Sequence, residues 1–459
     1  MAQTGLDSYF KVSERGSSVG TEVRAGITTF LVMAYILFVN ADVLGATGLD
    51  PVAVAAGTAL VAGVLSIAMG VVANHPIALA AGLGINAAVA FGLVLTDGLT
   101  AEGAMGVILW EGILVTILVV LGLREAVMAA IPDSLKYSIG VGIGLFILFI
   151  GLVNGGLVRS GGAIVEFVFP NSYAAGTTLV GVLIALVLMA RKVKGAMIIT
   201  IVLTTIVALI LNVIDLPSTF SASVSFSTIG AVDMGNVFVE MGALAAILTI
   251  FTFMLTDFFD TMGTATAISE QAGLTDKDGH IPKLRELLLV DSLGAALGGL
   301  CGVSSNTSYI ESSAGVAEGG KTGLTSVVTG VLFLIAIVLS PLALLVPSQA
   351  TAPVLILIGF LMVGLLKKIA FTDLQEGLPA LLAVILMPLT YSITVGIAAG
   401  FVTHTLIKIV KGKAAQVHVL MWIVSAACLI YFLQDWLNAT LTPACRPSGA
   451  LSPFPAVGL

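Results

Sequence analysis

Apolar stretches of about 20 residues recur along the whole chain, and polar residues are mostly confined to the short segments between them. Each stretch is long enough to cross the hydrocarbon core of a bilayer as one helix. We predict a polytopic, all-α membrane protein with fourteen spans, at 25–45, 52–73, 77–96, 103–122, 135–156, 175–190, 195–213, 243–269, 284–300, 303–318, 323–346, 351–367, 374–390 and 391–411. A further apolar segment, 417–434, either lies along the membrane interface or crosses the membrane as a fifteenth span.

The composition excludes a water-soluble fold. Of the 459 residues, 58% are hydrophobic and 10% are charged, whereas a soluble domain carries roughly 25% charged residues. The net charge of −7 is dispersed, so we expect no nucleic acid partner. Cys301, Cys428 and Cys445 follow no metal-binding or redox spacing, and we expect neither a metal site nor a cofactor.

Lysine and arginine concentrate in alternate connections between the spans. If the N-terminus is cytoplasmic, the basic residues before span one and after the even-numbered spans from four to fourteen face the cytoplasm, and Arg159 is the one clear exception. Basic residues favour cytoplasmic loops. We therefore predict a multi-pass protein of the inner (plasma) membrane with a cytoplasmic N-terminus.

A faint internal repeat divides the chain into two halves of seven spans. The stretch ITTFLVMAYILFVN (27–40) aligns with LTIFTFMLTDFFDT (248–261). An odd number of spans in each half gives the halves opposite orientations, which is the inverted-repeat plan of secondary transporters. We predict a cytoplasmic N-terminus (1–24), a core domain (25–134 and 243–346), a gate domain (135–213 and 347–413), an extracytoplasmic loop (214–242) and a C-terminal hydrophobic segment and tail (414–459).

Two aspartates interrupt span eight. Asp257, Asp260, Thr261 and Thr264 recur at helical spacing and share one predicted helix face. A buried carboxylate costs several kcal/mol unless it is paired, hydrated or protonated. A helix cap or an interfacial charge would be the plainer explanation, but the deep apolar run before the pair argues against it. We expect these acids to serve a function.

Spans three and ten are predicted to be broken. In span ten, Ser304–Tyr309 predicts a short extended piece, and ESSAGVA predicts a short helix with Glu311 near its start. In span three, glycines including Gly84 precede Asn86 and an ordinary helix. Glycine-kinked packing helices could have similar sequences, but breaks at corresponding places in two repeats indicate the binding site of a transporter. Such a site suits a small, flat, neutral molecule that donates and accepts hydrogen bonds.

One motif is misleading. GVAEGGKT at 315–322 fits the P-loop pattern G-x-x-x-x-G-K-T. A P-loop requires a preceding strand, a following helix and a compact α/β domain. Here a predicted membrane span lies on each side, so we expect no nucleotide site.

At these residues the chain resembles the AzgA-like purine permeases of the nucleobase–cation symporter-2 family, which carry adenine, guanine and hypoxanthine. The resemblance covers nearly the whole chain and rests on AAGLGINAAVAFGLV, TDFFDTMGT and SYIESSAGVAEGGKTGLT. It implies a 7+7 inverted repeat with core and gate domains, in which spans three and ten each combine a short strand with a half-helix. The family often has Asn-Pro at the end of span one, where this chain has Asn40 and Ala41.

The resemblance also implies residue roles. Asp257 and Glu311 would bind the base, and Asn86 and Asp260 would support them. Ser312, Thr261 and Gly84 complete the substrate-binding residues that we predict.

We therefore predict a secondary active transporter, not an enzyme, that imports purine nucleobases by proton symport with an elevator-like alternating-access motion. An acid in apolar surroundings favours its neutral form, so Asp257, Asp260 and Glu311 are the predicted proton carriers. Expected partners are the purine and the lipid bilayer, with a homodimer as one option for assembly.

Several alternatives stay open from the sequence. A carrier of the same fold could take uracil or xanthine, or could couple purine to sodium. An inorganic anion is disfavoured, because carboxylates would repel it. An intramembrane aspartyl protease is disfavoured, because it would need two aspartates on different helices that share a proton, whereas Asp257 and Asp260 lie on one predicted helix.

Overall fold

The computed structural model describes residues 5–123, 130–161, 164–168, 172–214, 223–276 and 280–441. Most of these residues are helical, and the strands are short. The α helices are α1 (Gly5–Phe10), α2 (Val19–Met33), α3 (Ile36–Gly45), α4 (Pro51–Ala68), α5 (Leu83–Ala87), α6 (Ala101–Val120), α7 (Asp133–Asn154), α8 (Tyr173–Ala190), α9 (Ala196–Ile210), α10 (Asn236–Glu240), α11 (Ala243–Gln271), α12 (Leu284–Leu300), α13 (Ser313–Ala317), α14 (Gly323–Ala336), α15 (Ser348–Val363), α16 (Leu374–Thr390), α17 (Ile393–Val410) and α18 (Val419–Leu441).

Tighter or wider helical turns extend several of these helices. The π-helical segments are Met69–Ala73 after α4 and Ala88–Val94 after α5, and the 3-10 segments are Ile310–Ser312, Ile337–Leu345, Gly364–Lys368 and Ala414–Gln416. The strands are β1 (Leu79–Ala81), β2 (Val158–Gly161), β3 (Ile164–Phe167) and β4 (Asn306–Ser308).

The helices reproduce the predicted spans. Within the described residues, nine helical segments are long and apolar enough to cross a membrane. The shorter helices 83–94, 196–210 and 374–390, together with α12 and the broken segment around β4 and α13, complete the fourteen spans. The predicted segment 417–434 is one helix, α18, which packs on α17. The tail beyond 441 lies outside the described residues.

The helices pack in two groups that correspond to the core and gate of a 7+7 fold. In the core, α4 and α2 pack on α14, and α6 packs on α12. In the gate, α7 packs on α15 and α16, α16 packs on α17, and α8 packs on α9 and α15. The predicted domain boundaries stay predictions, and parts of them (1–4, 124–129 and 215–222) lie outside the described residues.

Helix α11 lies where the two groups meet. It packs on α6 of the core and also on α7 and α17 of the gate. The helix that carries the two aspartates of span eight therefore contacts both groups.

The two broken spans meet in a short antiparallel pair of strands. Strand β1 pairs with β4 in the register Leu79↔Ser308, Ala80↔Thr307 and Ala81↔Asn306. Two further backbone bonds extend the pair, from Tyr309 N to the Ala78 carbonyl (3.0 Å) and from Gly82 N to the Ser305 carbonyl (2.8 Å). Both strands are fully buried. Because no water is available at membrane depth, each broken span satisfies the backbone groups of the other.

Arg159, the exception in the charge pattern, lies in a second antiparallel pair of strands, which was not predicted from the sequence. Strands β2 and β3 are antiparallel, and Arg159 stands opposite Glu166. Their side chains approach to 3.7 Å and both are partly exposed. The local acid offsets this positive charge.

The P-loop-like segment 315–322 does not adopt P-loop topology. It begins in α13 and ends at the first turn of α14. The fully buried Glu22 accepts hydrogen bonds from Lys321 N (3.0 Å), Thr322 N (3.2 Å) and Thr325 Oγ1 (2.6 Å). Backbone amides that would bind phosphate in a P-loop are thus held by a carboxylate of the same chain.

We predict that Glu22→Ala destabilises the protein. The substitution leaves buried N–H groups without an acceptor, which costs about 1–3 kcal/mol for each such group. The melting temperature in detergent should fall clearly. Glu14→Ala is the matched control, because Glu14 is exposed and pairs with the exposed Lys11. Equal melting temperatures for Glu22→Ala and Glu14→Ala would contradict this tether.

Candidate substrate-binding site

Two acidic residues from different spans interact electrostatically beside the paired strands. Glu311 lies in the 3-10 turn that follows β4, is half-buried, and accepts a hydrogen bond from the hydroxyl of the fully buried Tyr35 (2.7 Å). Asp260 on α11 is exposed and interacts electrostatically with Glu311. The structure therefore brings together two of the predicted acids from different spans.

The two aspartates of α11 have different surroundings. Asp257 is fully buried, whereas Asp260, one turn later, is exposed. Of the four residues on the face predicted from their spacing, Asp260 is the exposed one. Thr264, which was predicted on the same face, is also buried.

Two tyrosines, Tyr35 and Tyr309, lie near Glu311. The Tyr309 hydroxyl donates to the carbonyl of Ala81 (2.5 Å), at the end of β1. Both tyrosines interact electrostatically with Glu311 and Asp260. These two tyrosines were not predicted as site residues, because the sequence does not show which partners their hydroxyl groups meet.

Behind β4, an unpredicted anchor fixes the strand. Asp291 on α12 is fully buried, and its Oδ1 accepts from Ser308 N (2.9 Å) and Ser308 Oγ (2.8 Å). Its Oδ2 accepts from Thr261 Oγ1 (2.6 Å), which is also 2.9 Å from Thr307 Oγ1. The predicted substrate residue Thr261 thus joins α11 to the back of β4. The lone aspartate in the apolar stretch LLLVDSLGAALGG was the feature of the sequence that could have indicated this anchor.

The predicted supporting residue Asn86 belongs to an amide network. Its Nδ2 donates to Asn40 Oδ1 (2.7 Å), and Asn40 Nδ2 donates to Thr58 Oγ1 (2.8 Å) and the Val303 carbonyl (3.2 Å). Asn86 Oδ1 is buried without a hydrogen-bond partner among the described residues, so it remains an acceptor at the start of the half-span. The helix α3 continues through Ala41, where the family often has proline.

Ser312 and Gly84 make structural contacts. Ser312 Oγ accepts from Ala78 N (3.0 Å) and so ties the second broken span to the first. A Cβ placed on Gly84 would lie 2.4 Å from Ile143 Cγ2 of α7. Glycine at position 84 therefore allows the half-span to approach the gate.

A second unpredicted acid, Glu111 on α6, is fully buried. Ser305, the residue before β4, donates to its Oε1 at 3.3 Å. Among the described residues, no three side chains of His, Cys, Asp or Glu cluster in a way that could hold a metal ion.

His75 is buried near the entry to the first broken span, outside the membrane-spanning helices. Its Nε2 lies 2.7 Å from the carbonyl of Pro282. Burial lowers the pKa of His75 to about 4, despite the backbone hydrogen bond to Pro282. The imidazole is therefore neutral at physiological pH and does not contribute to a pH response near neutrality.

Comparison with known proteins identifies relatives of similar length. The family described as "Permease family" matches residues 20–399. The adenine permease AdeP of Escherichia coli K12 is 42% identical over 410 residues, covering 89% of this chain and 91% of the relative. The guanine/hypoxanthine permease PbuG of Bacillus subtilis is 38% identical over 441 residues, covering 93% and 99%.

Solved structures share the fold at low sequence identity. The transmembrane domain of the cyanobacterial bicarbonate transporter BicA has a TM-score of 0.61 at 14% identity, covering 83% of this chain and 97% of that one. The murine Solute Carrier 26 family member A9 anion transporter in the inward-facing state has a TM-score of 0.62 at 13% identity, covering 90% and 73%.

We predict that Ser312→Ala destabilises the fold. The buried N–H of Ala78 loses its side-chain acceptor, at a cost of about 1–3 kcal/mol. Ser313→Ala is the control, because Ser313 is the neighbouring serine and is only half-buried. The measurement is the melting temperature of each variant in detergent. A Ser312→Ala variant as stable as Ser313→Ala would show that the hydroxyl does not hold the two half-spans together.

Proposed function

Because the chain belongs to the permease family that it matches over residues 20–399, we propose that it imports purine nucleobases: adenine, guanine and hypoxanthine. The observation that carries this proposal is the meeting of Glu311 and Asp260 beside the paired strands. Relatives that bear the names of adenine and guanine/hypoxanthine permeases over nearly their full length support this substrate class.

The site chemistry suits a neutral heterocycle. Purine bases present N–H groups, and carboxylates accept hydrogen bonds from such groups strongly. Asn86 Oδ1 supplies a further acceptor. Backbone groups of the half-spans can meet the acceptor nitrogens or oxygens of the ring. Base recognition is then divided between Glu311, Asp257, Asp260 and the polar groups of spans three and ten.

The shared fold does not carry over the substrates of the solved relatives. Those proteins are named for bicarbonate and anion transport. Here Asp260 interacts electrostatically with Glu311, and two carboxylates would repel an anion. The acids therefore favour a neutral cargo.

We infer that transport is driven by proton symport. Asp260 and Glu311 are close enough to disfavour joint ionisation, so one of them can hold a proton. A neutral purine leaves this proton as the transported charge. Asp257, Asp260 and Glu311 are the candidates to carry it.

We further propose a cytoplasmic N-terminus in the inner (plasma) membrane and an elevator-like motion of core against gate. Polar contacts cross between the groups at two places. Lys194, between α8 and α9, pairs with Glu318 at the end of α13. Asp42 at the end of span one accepts from Ser348 Oγ (2.6 Å) and Thr351 Oγ1 (2.5 Å) of α15. A rigid-body movement of the core would have to exchange both contacts.

The first prediction concerns affinity. Glu311→Gln and Asp257→Asn keep the side-chain shape but remove a charged acceptor, so each should weaken purine binding by about 1.5–3 kcal/mol, or about 10- to 100-fold. Calorimetry with adenine, guanine and hypoxanthine on folded protein measures this. Glu270→Gln, an exposed acid at the end of α11, should bind as wild type does. Wild-type affinity in both site variants would remove these residues from the binding site.

The second prediction concerns the driving ion. Because the acids must be protonated from outside, uptake of labelled purine into vesicles should rise as external pH falls from about 8 to about 6. A protonophore should abolish accumulation. Uptake that ignores pH and follows an imposed sodium gradient would contradict proton symport. Competition by unlabelled uracil or xanthine, but not by purines, would contradict the proposed substrate.

A further inference from the structure

Glu111 is a buried carboxylate that the proposed transport cycle has not used. It lies on α6, which packs so closely on α12 that a Cβ added at Gly112 would be 2.2 Å from the backbone nitrogen of Ala296. The side chain of Glu111 is fully buried. It is therefore held inside the core, behind β4.

Its two oxygens are unequally satisfied. Oε1 accepts one long hydrogen bond, from Ser305 Oγ at 3.3 Å. Oε2 is buried and has no hydrogen-bond partner within the described ranges. No ion pair found among those residues involves Glu111.

The neighbouring acid Asp291 has contrasting surroundings. It accepts three hydrogen bonds of 2.6–2.9 Å, from Thr261 and from the backbone and hydroxyl of Ser308. Such a set of donors favours an ionised carboxylate. Glu111 interacts electrostatically with Asp291, and this repulsion adds to the cost of ionising a poorly satisfied buried acid. Within this pair, the proton belongs on Glu111.

Other titratable groups lie on the elements that pack against α6. Arg285 donates to the carbonyl of Val120, at the far end of α6 and more than two turns from Glu111. Of the groups on the elements packed against α6, Asp291 interacts electrostatically with Glu111. The titratable groups on these elements are Arg285, Glu286 and Asp291 on α12, Asp257, Asp260 and Glu270 on α11, and Glu240 on α10, while segment 88–94 carries none.

Resting on the proposed proton symport, we propose that Glu111 is a second proton-binding site, behind the substrate site, whose proton is exchanged during each transport cycle. It communicates with both broken spans through one residue. Ser305 donates to Glu111 through its hydroxyl, and its carbonyl accepts from Gly82 N, just before α5. From Ser305 the chain runs directly through β4 to Glu311.

Loss of the Glu111 proton would leave a charge with one long hydrogen bond. Ser305 would then be drawn towards the carboxylate, and β4 would move with it. A chain of oxygens from Asp291 through Thr261 reaches α11, where Asp260 is exposed. Proton release behind β4 is thereby linked to the shape of the purine site in front of it.

The test is the proton:purine ratio of Glu111→Gln, which mimics the protonated acid permanently. The protein is reconstituted in vesicles, and labelled adenine and proton movements are followed together. Glu111→Gln should retain adenine counterflow within about two-fold, while its ratio falls by one relative to wild type. Glu102→Gln, an exposed acid in the first turn of the same helix, should keep the wild-type ratio.

An unchanged ratio in Glu111→Gln would overturn the proposal but leave proton symport intact, and so would loss of counterflow in a folded Glu111→Gln protein. A wild type that moves no protons would overturn both. If Glu111→Gln does not fold, Ser305→Ala decides. It removes the one donor to the ionised acid, so the pH midpoint of uptake should shift upwards, and an unshifted midpoint would overturn the proposal.

Discussion

The pairing of β1 with β4 is the constraint on which the rest of the structure depends. A span that breaks at membrane depth exposes backbone N–H and C=O groups, and each unsatisfied group costs several kcal/mol in a bilayer core. Here the two breaks coincide in space, and each strand provides the hydrogen-bonding partners of the other. Neither break would be tolerated without its counterpart from the opposite half of the chain.

The paired strands organise the buried charge. Glu311 follows β4 immediately, and Tyr35 from span one fixes its carboxylate. Asp291 holds the same strand from behind. Acids therefore lie on both sides of one three-residue strand, and a change of charge on either side acts on the same backbone. Under the proposed symport, this arrangement would couple the bound base to a proton without direct contact between them.

The spans and the breaks were predictable because both are local in sequence. Hydrophobic length gave span nine with its observed bounds, 284–300, and serine and glycine content located the extended piece of span ten. The family resemblance placed Asp257 and Glu311 among the site residues, and these roles stay predictions. The segment that matches the P-loop pattern does not have P-loop topology, and its contacts with Glu22 were not foreseen.

The missed features are contacts between distant parts of the chain. Tyr309 reaches Ala81 across 228 residues, and no periodicity within either span reports such a pair. The predicted substrate contact of Ser312 stays a prediction, whereas the hydrogen bond from Ala78 N to its hydroxyl was not foreseen. Similarly, spacing put Asp257 and Asp260 on one face but could not show that only the second reaches open space. Packing between the two halves decides these properties.

We propose that the purine binds between the two half-spans that β1 and β4 hold together. A cryo-electron microscopy structure of the protein with adenine bound tests this placement. We expect density for the base against Glu311 and α11, with β1 and β4 still paired. Adenine bound elsewhere, or bound at this place with the strands separated, would contradict it.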